Sequence, residues 1–128
     1  MPKQLFRQCT LTAKTAWFNL DNGAGTTVDD VILLSTLPVQ LLSVKAVYVD
    51  ATTGTVAAGN FRVGTTVGGS DVVASTAYEN TKTVGTSTAG TLLVTRLTAG
   101  QFLAVRHTGV AATQAGQAFV QIEYAVEE

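Results

Sequence analysis

Charged side chains are scarce in this sequence of 128 residues, and those present nearly cancel. They make up 13% of the chain, whereas about 25% is usual for a soluble domain. Eight basic and nine acidic side chains leave a formal net charge of −1. This balance gives no electrostatic basis for nucleic acid or an anionic membrane as the main partner. With 46% hydrophobic residues, the composition also disfavours a disordered chain.

Metal-binding and redox-active side chains are equally few, because Cys9 is the only cysteine and His107 the only histidine. One thiol cannot form an internal disulfide, and one cysteine with one histidine cannot complete a structural zinc site. The carboxylates are adjacent only at residues 29–30 and 127–128, and neighbours on a strand point to opposite faces. The sequence therefore predicts no metal site and no cofactor.

Long apolar segments are missing as well. The longest uninterrupted aliphatic runs have about four residues, whereas a membrane helix needs roughly 20. The N-terminal residues show no secretory signal, because polar side chains interrupt any apolar stretch after Lys3 and Arg7. We therefore expect no membrane partner, and synthesis in a reducing cytoplasm.

Threonine, valine, alanine and glycine are abundant, and they occur in short alternating segments separated by turn residues. β-Branched side chains favour strands. The clearest segment is 119–126, where one face carries Val120, Ile122, Tyr124 and Val126. Eight or nine such segments, spaced by about 10–15 residues, are typical of a β-sandwich or barrel. The sequence predicts one all-β domain over residues 1–128, an antiparallel β-sandwich.

Two segments carry more specific predictions. Residues 98–101, with the sequence Thr-Ala-Gly-Gln, separate two apolar segments and predict a hairpin between them. Residues 28–34 predict a short strand. A short helix is the alternative there, because Thr26, Thr27 and the two aspartates that follow also resemble a helix start.

No group of residues has the composition of a catalytic site. His107 would have to serve any Ser-His-acid or Cys-His arrangement, but its place at a strand end predicts a side chain near the surface. Cys9 is interpreted as a small buried hydrophobic side chain. Residues 64–70 (GTTVGGS) resemble a phosphate-binding loop without its lysine, so we expect a connecting loop with glycine at positive φ. We predict that the chain is not an enzyme.

Aromatic side chains make up only 7% of the sequence. Sugar-binding modules present exposed aromatic side chains, and Trp17 and Tyr78 are the candidates for that role. A single tryptophan in a small β domain more often belongs to the core. That interpretation is favoured for Trp17.

A resemblance to a known family is carried by three segments: FRVGTTVGGSDVV at 61–73, LTAGQFLAV at 97–105 and VQIEY at 120–124. Together they resemble small decoration, or cement, proteins of tailed bacteriophage heads. The resemblance implies a jelly-roll-like β-sandwich that binds the major capsid protein on the outer surface of the capsid. It also implies a homo-oligomer, a dimer or a trimer, with no catalytic residues and no cofactor.

Residues 1–12 are expected to form an N-terminal arm or an edge strand. Within them the candidates for contact with the capsid or with a sister copy are Pro2, Lys3, Gln4 and Leu5. The alternative is a frayed terminus. Two further functions stay open: another virion part, such as a head-fibre base, a tail component or a receptor-binding part, and a carbohydrate-binding β module.

Overall fold

Two antiparallel sheets face each other across a shared apolar core in the computed structural model. The structure describes residues 9–20, 23, 25–54, 59–79, 81–109 and 114–127. These residues contain twelve strands and no helix. The predicted all-β sandwich is therefore confirmed.

The strands have between two and ten residues. In chain order they are β1 (Leu11–Lys14), β2 (Phe18–Asn19), β3 (Thr27–Leu33), β4 (Val39–Tyr48), β5 (Thr53–Gly54), β6 (Asn60–Gly64), β7 (Val73–Ala77), β8 (Ser87–Gly90), β9 (Arg96–Leu97), β10 (Phe102–Thr108), β11 (Gln114–Ala115) and β12 (Gln117–Val126). Sheet A has the order β1-β12-β4-β8, with β2 also paired to β12 and β9 to β4. Sheet B has the order β3-β10-β6-β7, and β5 pairs with β11 in a separate ribbon.

The order of the strands is that of a jelly roll. β2 continues the edge that β1 begins along β12, and β9 continues the edge that β8 begins along β4. Counted in this way, sheet A holds the first, eighth, third and sixth strands, and sheet B the second, seventh, fourth and fifth. Two four-stranded sheets with this connectivity form a jelly-roll sandwich.

The core forms because the two long central strands of sheet A turn alternate apolar side chains toward sheet B. On β12 the predicted face is confirmed: Val120 and Ile122 are fully buried, and Tyr124 and Val126 pack against the core. On β4 the pairing with β12 shifts by one residue at Leu42, which has no partner in the ladder. This bulge moves the buried set from odd to even positions, so that both halves of β4 face the core.

Two local predictions have opposite outcomes. Residues 28–33 lie in β3, whose seven residues all pair with β10, and residue 34 follows it, so the strand is confirmed and the helix alternative is wrong. The hairpin at 98–101 is wrong, because β9 belongs to sheet A and β10 to sheet B. The tight turn itself exists, with Gly100 at a φ of 73° and the Gln101 amide donating to the Thr98 carbonyl at 3.2 Å. It carries the chain from one sheet to the other.

The loop at residues 65–71 folds back over the outer face of sheet B. The Asp71 carboxylate accepts hydrogen bonds from the Thr65 amide at 2.8 Å and the Thr65 hydroxyl at 2.6 Å, which closes the loop. These bonds hold the pKa of Asp71 below its usual range. Gly68 has a φ of 78°, so the predicted connecting loop with glycine at positive φ is confirmed.

We expect Gly64→Ala to destabilise the protein, because a Cβ atom there would lie 2.5 Å from the Gly69 carbonyl carbon. The obstacle is backbone, so the loop must lift from the sheet at a cost of roughly 1–3 kcal/mol. Gly100→Ala is the matched control, since nothing lies within 4 Å of its Cβ position. It should cost only about 1 kcal/mol, for the left-handed backbone. Urea unfolding checks both variants, and equal losses would contradict the steric explanation.

Candidate functional site

The N-terminal contact residues predicted from the sequence, Pro2, Lys3, Gln4 and Leu5, lie outside the described residues. They remain a prediction. Leu11 and Thr12, at the end of the proposed arm, belong to β1 at the edge of sheet A.

His107 does not lie near the surface, and that prediction is wrong. The side chain is fully buried and stacks on Phe18, with ring centroids 4.0 Å apart. Its Nε2 lies 2.9 Å from the Asn19 carbonyl oxygen, so Nε2 carries a proton and donates it. Nδ1 then accepts a hydrogen bond from the Tyr78 hydroxyl at 3.2 Å. The imidazole is a neutral structural element that is sealed from solvent.

Phe18, Tyr48, Tyr78 and His107 form a buried aromatic cluster. Burial shifts the pKa of His107 and of Tyr78. Loss of solvation lowers the pKa of His107 to about 4, although its bond to Asn19 opposes this shift. Burial, together with the neighbouring Tyr48, raises the pKa of Tyr78 well above its usual value. The Tyr48 hydroxyl accepts from the Glu79 amide at 2.9 Å and is hydrogen-bonded to Thr88. The cluster therefore fixes the chain around Tyr78 and Glu79 against sheet A.

The other candidates for chemistry also differ from expectation. Cys9 is exposed, so its interpretation as a buried hydrophobic side chain is wrong; it lies two residues before β1, at the edge of sheet A. No group of three or more His, Cys, Asp or Glu that could hold a metal ion occurs in the described part of the chain. Within the same residues, no helix is long and apolar enough to cross a membrane.

The outer faces of the two sheets differ in character. Along β4 and β12 the outward side chains of sheet A are mostly polar, and Lys45 lies 4.0 Å from Glu123. Leu42 at the bulge is the exposed exception. On sheet B, Val31, Leu33 and Phe102 are 55%, 43% and 50% exposed. Leu33 lies directly opposite Phe102 in the ladder between β3 and β10, and Val31 shares the outward face of β3 with Leu33. We call these three side chains the β3 patch.

A charged pair adjoins the β3 patch. Asp29 is on the same face of β3 as Val31, and Arg106 donates to both Asp29 carboxylate oxygens at 2.7 and 2.9 Å. The hydrogen bonds from Arg106 lower the pKa of Asp29. Residues 31–34 are apolar on both sides of the strand, a pattern typical of strands buried on both faces. Only the face of Ile32 and Leu34 packs against the core, so the face of Val31 and Leu33 stays exposed, and the sequence alone did not identify it.

A shallow polar cleft lies where β2, β11 and β12 meet the residues after β4. Its lining consists of Asn19, Asp50, Ala51, Ala115, Gly116 and Gln117. We call it the β2 cleft. Sequence reasoning missed it, because Asn19 and Gln117 are 98 residues apart, and their amides meet only through the pairing of β2 with β12, at 2.7 Å.

The two aromatic candidates for a sugar-binding surface, Trp17 and Tyr78, differ in exposure. Tyr78 is buried beside His107, which excludes it as an exposed sugar platform. Trp17 is 66% exposed, so its favoured interpretation as a core residue is wrong. The short strand β2 turns Phe18 into the core and leaves its neighbours Trp17 and Asn19 on the outside.

The lowered pKa of His107 predicts that the folded protein becomes less stable as the pH decreases. Between pH 6.5 and about 4 the unfolded chain binds a proton that the folded chain does not, so the free energy of unfolding decreases across this window. A difference of this size corresponds to a loss of about 3 kcal/mol. The loss from Asp29 and Asp71, whose folded pKa values are lowered, begins only near and below their usual pKa of 3.8.

Urea unfolding of wild type and His107→Gln at several pH values separates the two contributions. We expect the glutamine variant to be less stable at neutral pH but nearly independent of pH above about 4.5, because its side chain does not titrate. If the free energy of unfolding changes with pH equally in both proteins, His107 is not responsible for the loss of stability.

Comparisons of this chain with protein-family models, with curated proteins and with solved structures gave no match. Its function is therefore inferred from its own fold and surfaces. The surfaces that bear on function are the β3 patch on sheet B and the β2 cleft with Trp17 beside it.

Proposed function

We propose that this chain is a structural protein of a virion, a decoration protein that binds the major capsid protein and stabilises the capsid from outside. The observation that carries the proposal is the β3 patch on the outer face of a jelly-roll sandwich. The resemblance of residues 61–73, 97–105 and 120–124 to phage decoration proteins supports the capsid as the partner. In this proposal the chain acts by binding and not as an enzyme.

The β3 patch has the composition of a protein interface. Contiguous exposed apolar side chains, especially with a polar margin, mark interaction sites on small proteins. Phe102 and Leu33 supply the apolar centre. The ion pair of Asp29 and Arg106 supplies a margin whose charges already neutralise each other. Docking against Phe102 and Leu33 would therefore remove apolar surface from water and leave the Asp29–Arg106 pair intact. Arg62, directly opposite Arg106 on β6, adds a positive charge to the same face.

The edge position of β3 supports the same use. β3 pairs with β10 on one side, and no second strand among the described residues pairs with its other side. Backbone groups at such an edge can hydrogen-bond a strand of another chain. A partner on this edge would contact the backbone and the apolar side chains together.

Stabilisation follows from mass action. A protein that binds the assembled shell and not the separated subunits lowers the free energy of the assembled state. For one site the gain is about 2.7 kcal/mol at a free concentration 100 times Kd. Many copies on one shell add their contributions, and a dimer or trimer that contacts several capsid subunits would strengthen the effect. We include such a homo-oligomer in the proposal.

The test uses particles that co-purify with this chain from its native source. After the chain is stripped from them, wild-type protein is added back, and bound protein and the temperature of shell disruption are measured. We expect Phe102→Asp and Leu33→Asp each to weaken binding at least tenfold, because a charge replaces an apolar contact worth about 1.5–3 kcal/mol. Both should lower the disruption temperature toward that of bare shells.

Val84→Asp is the matched control. Val84 is also apolar and exposed, but it lies in the turn before β8, at the opposite edge of the sandwich from β3. It should bind and stabilise shells as the wild type does. Phe102→Asp protein that folds by circular dichroism and still binds would exclude the β3 patch. If saturating wild-type protein leaves the disruption temperature unchanged, the stabilising role is wrong, and density for the chain on the tail would make it another virion part.

A further inference from the structure

The indole of Trp17 is a large aromatic face held out in water beside a polar cleft. Asn19, which lines the β2 cleft, is two residues further along the chain, so the two Cα atoms are at most about 7 Å apart. The intervening Phe18 points into the core, whereas Asn19 and Trp17, which precedes β2, are both exposed. A ligand in the cleft can therefore extend onto the indole.

The cleft is built on backbone that is already fixed. The Gly116 carbonyl accepts from the Leu20 amide at 3.0 Å, and the Gln117 carbonyl accepts from the Val49 amide at 2.9 Å. Above this floor the Gln117 side-chain amide donates to the Asn19 side-chain oxygen at 2.7 Å. That bond orients both amides in advance, which reduces the entropy lost when a ligand binds.

The chemistry of these groups selects the ligand. An indole face is electron-rich and attracts the weakly positive C–H groups on the flat side of a pyranose ring. Asn19 and Gln117 offer amide donors and acceptors, and the exposed Asp50 carboxylate offers acceptors, which suit ring hydroxyls. The volume of about 400 Å³ is within the range of roughly 300–1,000 Å³ usual for small-molecule sites. We propose that the β2 cleft and Trp17 form a binding site for a neutral pyranose sugar, such as the end of a surface glycan.

The charge of the cleft lining disfavours nucleotides and nucleic-acid bases, which also stack on tryptophan. A nucleotide or nucleic-acid base also stacks on indole, but its phosphate requires lysine or arginine nearby. Among the described residues, the lining of the cleft includes one carboxylate and neither lysine nor arginine. A neutral sugar incurs no such repulsion.

The site does not depend on the proposed contact with the shell. The Asn19 carbonyl is bonded to His107 on β10, and Phe102 is five residues away on the same strand, a distance of about 17 Å. The β2 cleft belongs to sheet A, whereas Phe102 lies on the outer face of sheet B. A copy held on a capsid by Phe102 and Leu33 would leave the cleft exposed. Val31 is nearer to the site, because the Ala16 amide donates to the Asp30 carboxylate at 3.1 Å.

Trp17 is the only tryptophan in the sequence, so its fluorescence reports on this site alone. The purified full chain is titrated with methyl glycosides of glucose, galactose and mannose and with N-acetylglucosamine, and sorbitol serves as a non-cyclic control. We expect at least one glycoside to shift the emission to shorter wavelength saturably, with Kd on the order of 1 mM for a shallow site. Sorbitol should have no such effect, because it presents no ring face.

Variants locate the binding. Asn19→Ala keeps the fluorophore and should weaken binding several-fold, and Asp50→Asn tests the carboxylate in the same way. Trp17→Ala, followed by saturation-transfer NMR of the sugar, should lose binding at least tenfold, whereas Val84→Ala should bind as the wild type does. Emission that no sugar changes would overturn the proposal. So would an equal response to sorbitol, stronger binding of adenosine monophosphate than of any sugar, or a Trp17→Ala protein that still binds.

Discussion

The buried hydrogen bond between His107 and Tyr78 is the interaction on which the arrangement of the molecule depends. His107 comes from sheet B, Tyr78 from the chain that follows β7, and the Asn19 carbonyl that His107 also contacts comes from sheet A. Phe18 packs against the rings of both His107 and Tyr78, and Phe61 packs against Tyr78. Loss of either hydrogen-bond partner would leave a buried polar group unsatisfied, which costs about 1–3 kcal/mol. A neutral histidine thus links both sheets and holds β2 in place.

The proposed functional surfaces follow from this arrangement. Since β2 has only two residues and, among the described strands, pairs with β12 alone, its position relies on Phe18 and on the Asn19 carbonyl. Fixing β2 in this way holds Trp17 outward and brings Asn19 to Gln117. The β3 patch has a different origin, in an edge strand whose residues 31–33 are apolar on both faces. One face closes the core and the other remains for a partner, so the sandwich has two dissimilar surfaces.

Alternation in the sequence was sufficient to predict the all-β class and the core-facing side of β12, because burial on one face has a period of two residues. It could not predict which turns join strands of one sheet, and residues 98–101 connect two sheets instead. It also misplaced His107, Cys9 and Trp17. Burial of His107 depends on partners 29 and 88 residues away in sequence. Trp17 is exposed because its neighbour Phe18 takes the core position, which composition does not reveal.

The most direct test of the account is a cryo-electron microscopy map of the particle that carries this chain, at a resolution that shows the orientation of the sandwich. We predict density on the outside of the capsid, with β3 and Phe102 against the major capsid protein and Trp17 facing solvent. A map with the polar face of sheet A against the shell and the β3 patch in solvent would contradict the proposed interface. A particle without this chain on its capsid would contradict the proposed function itself.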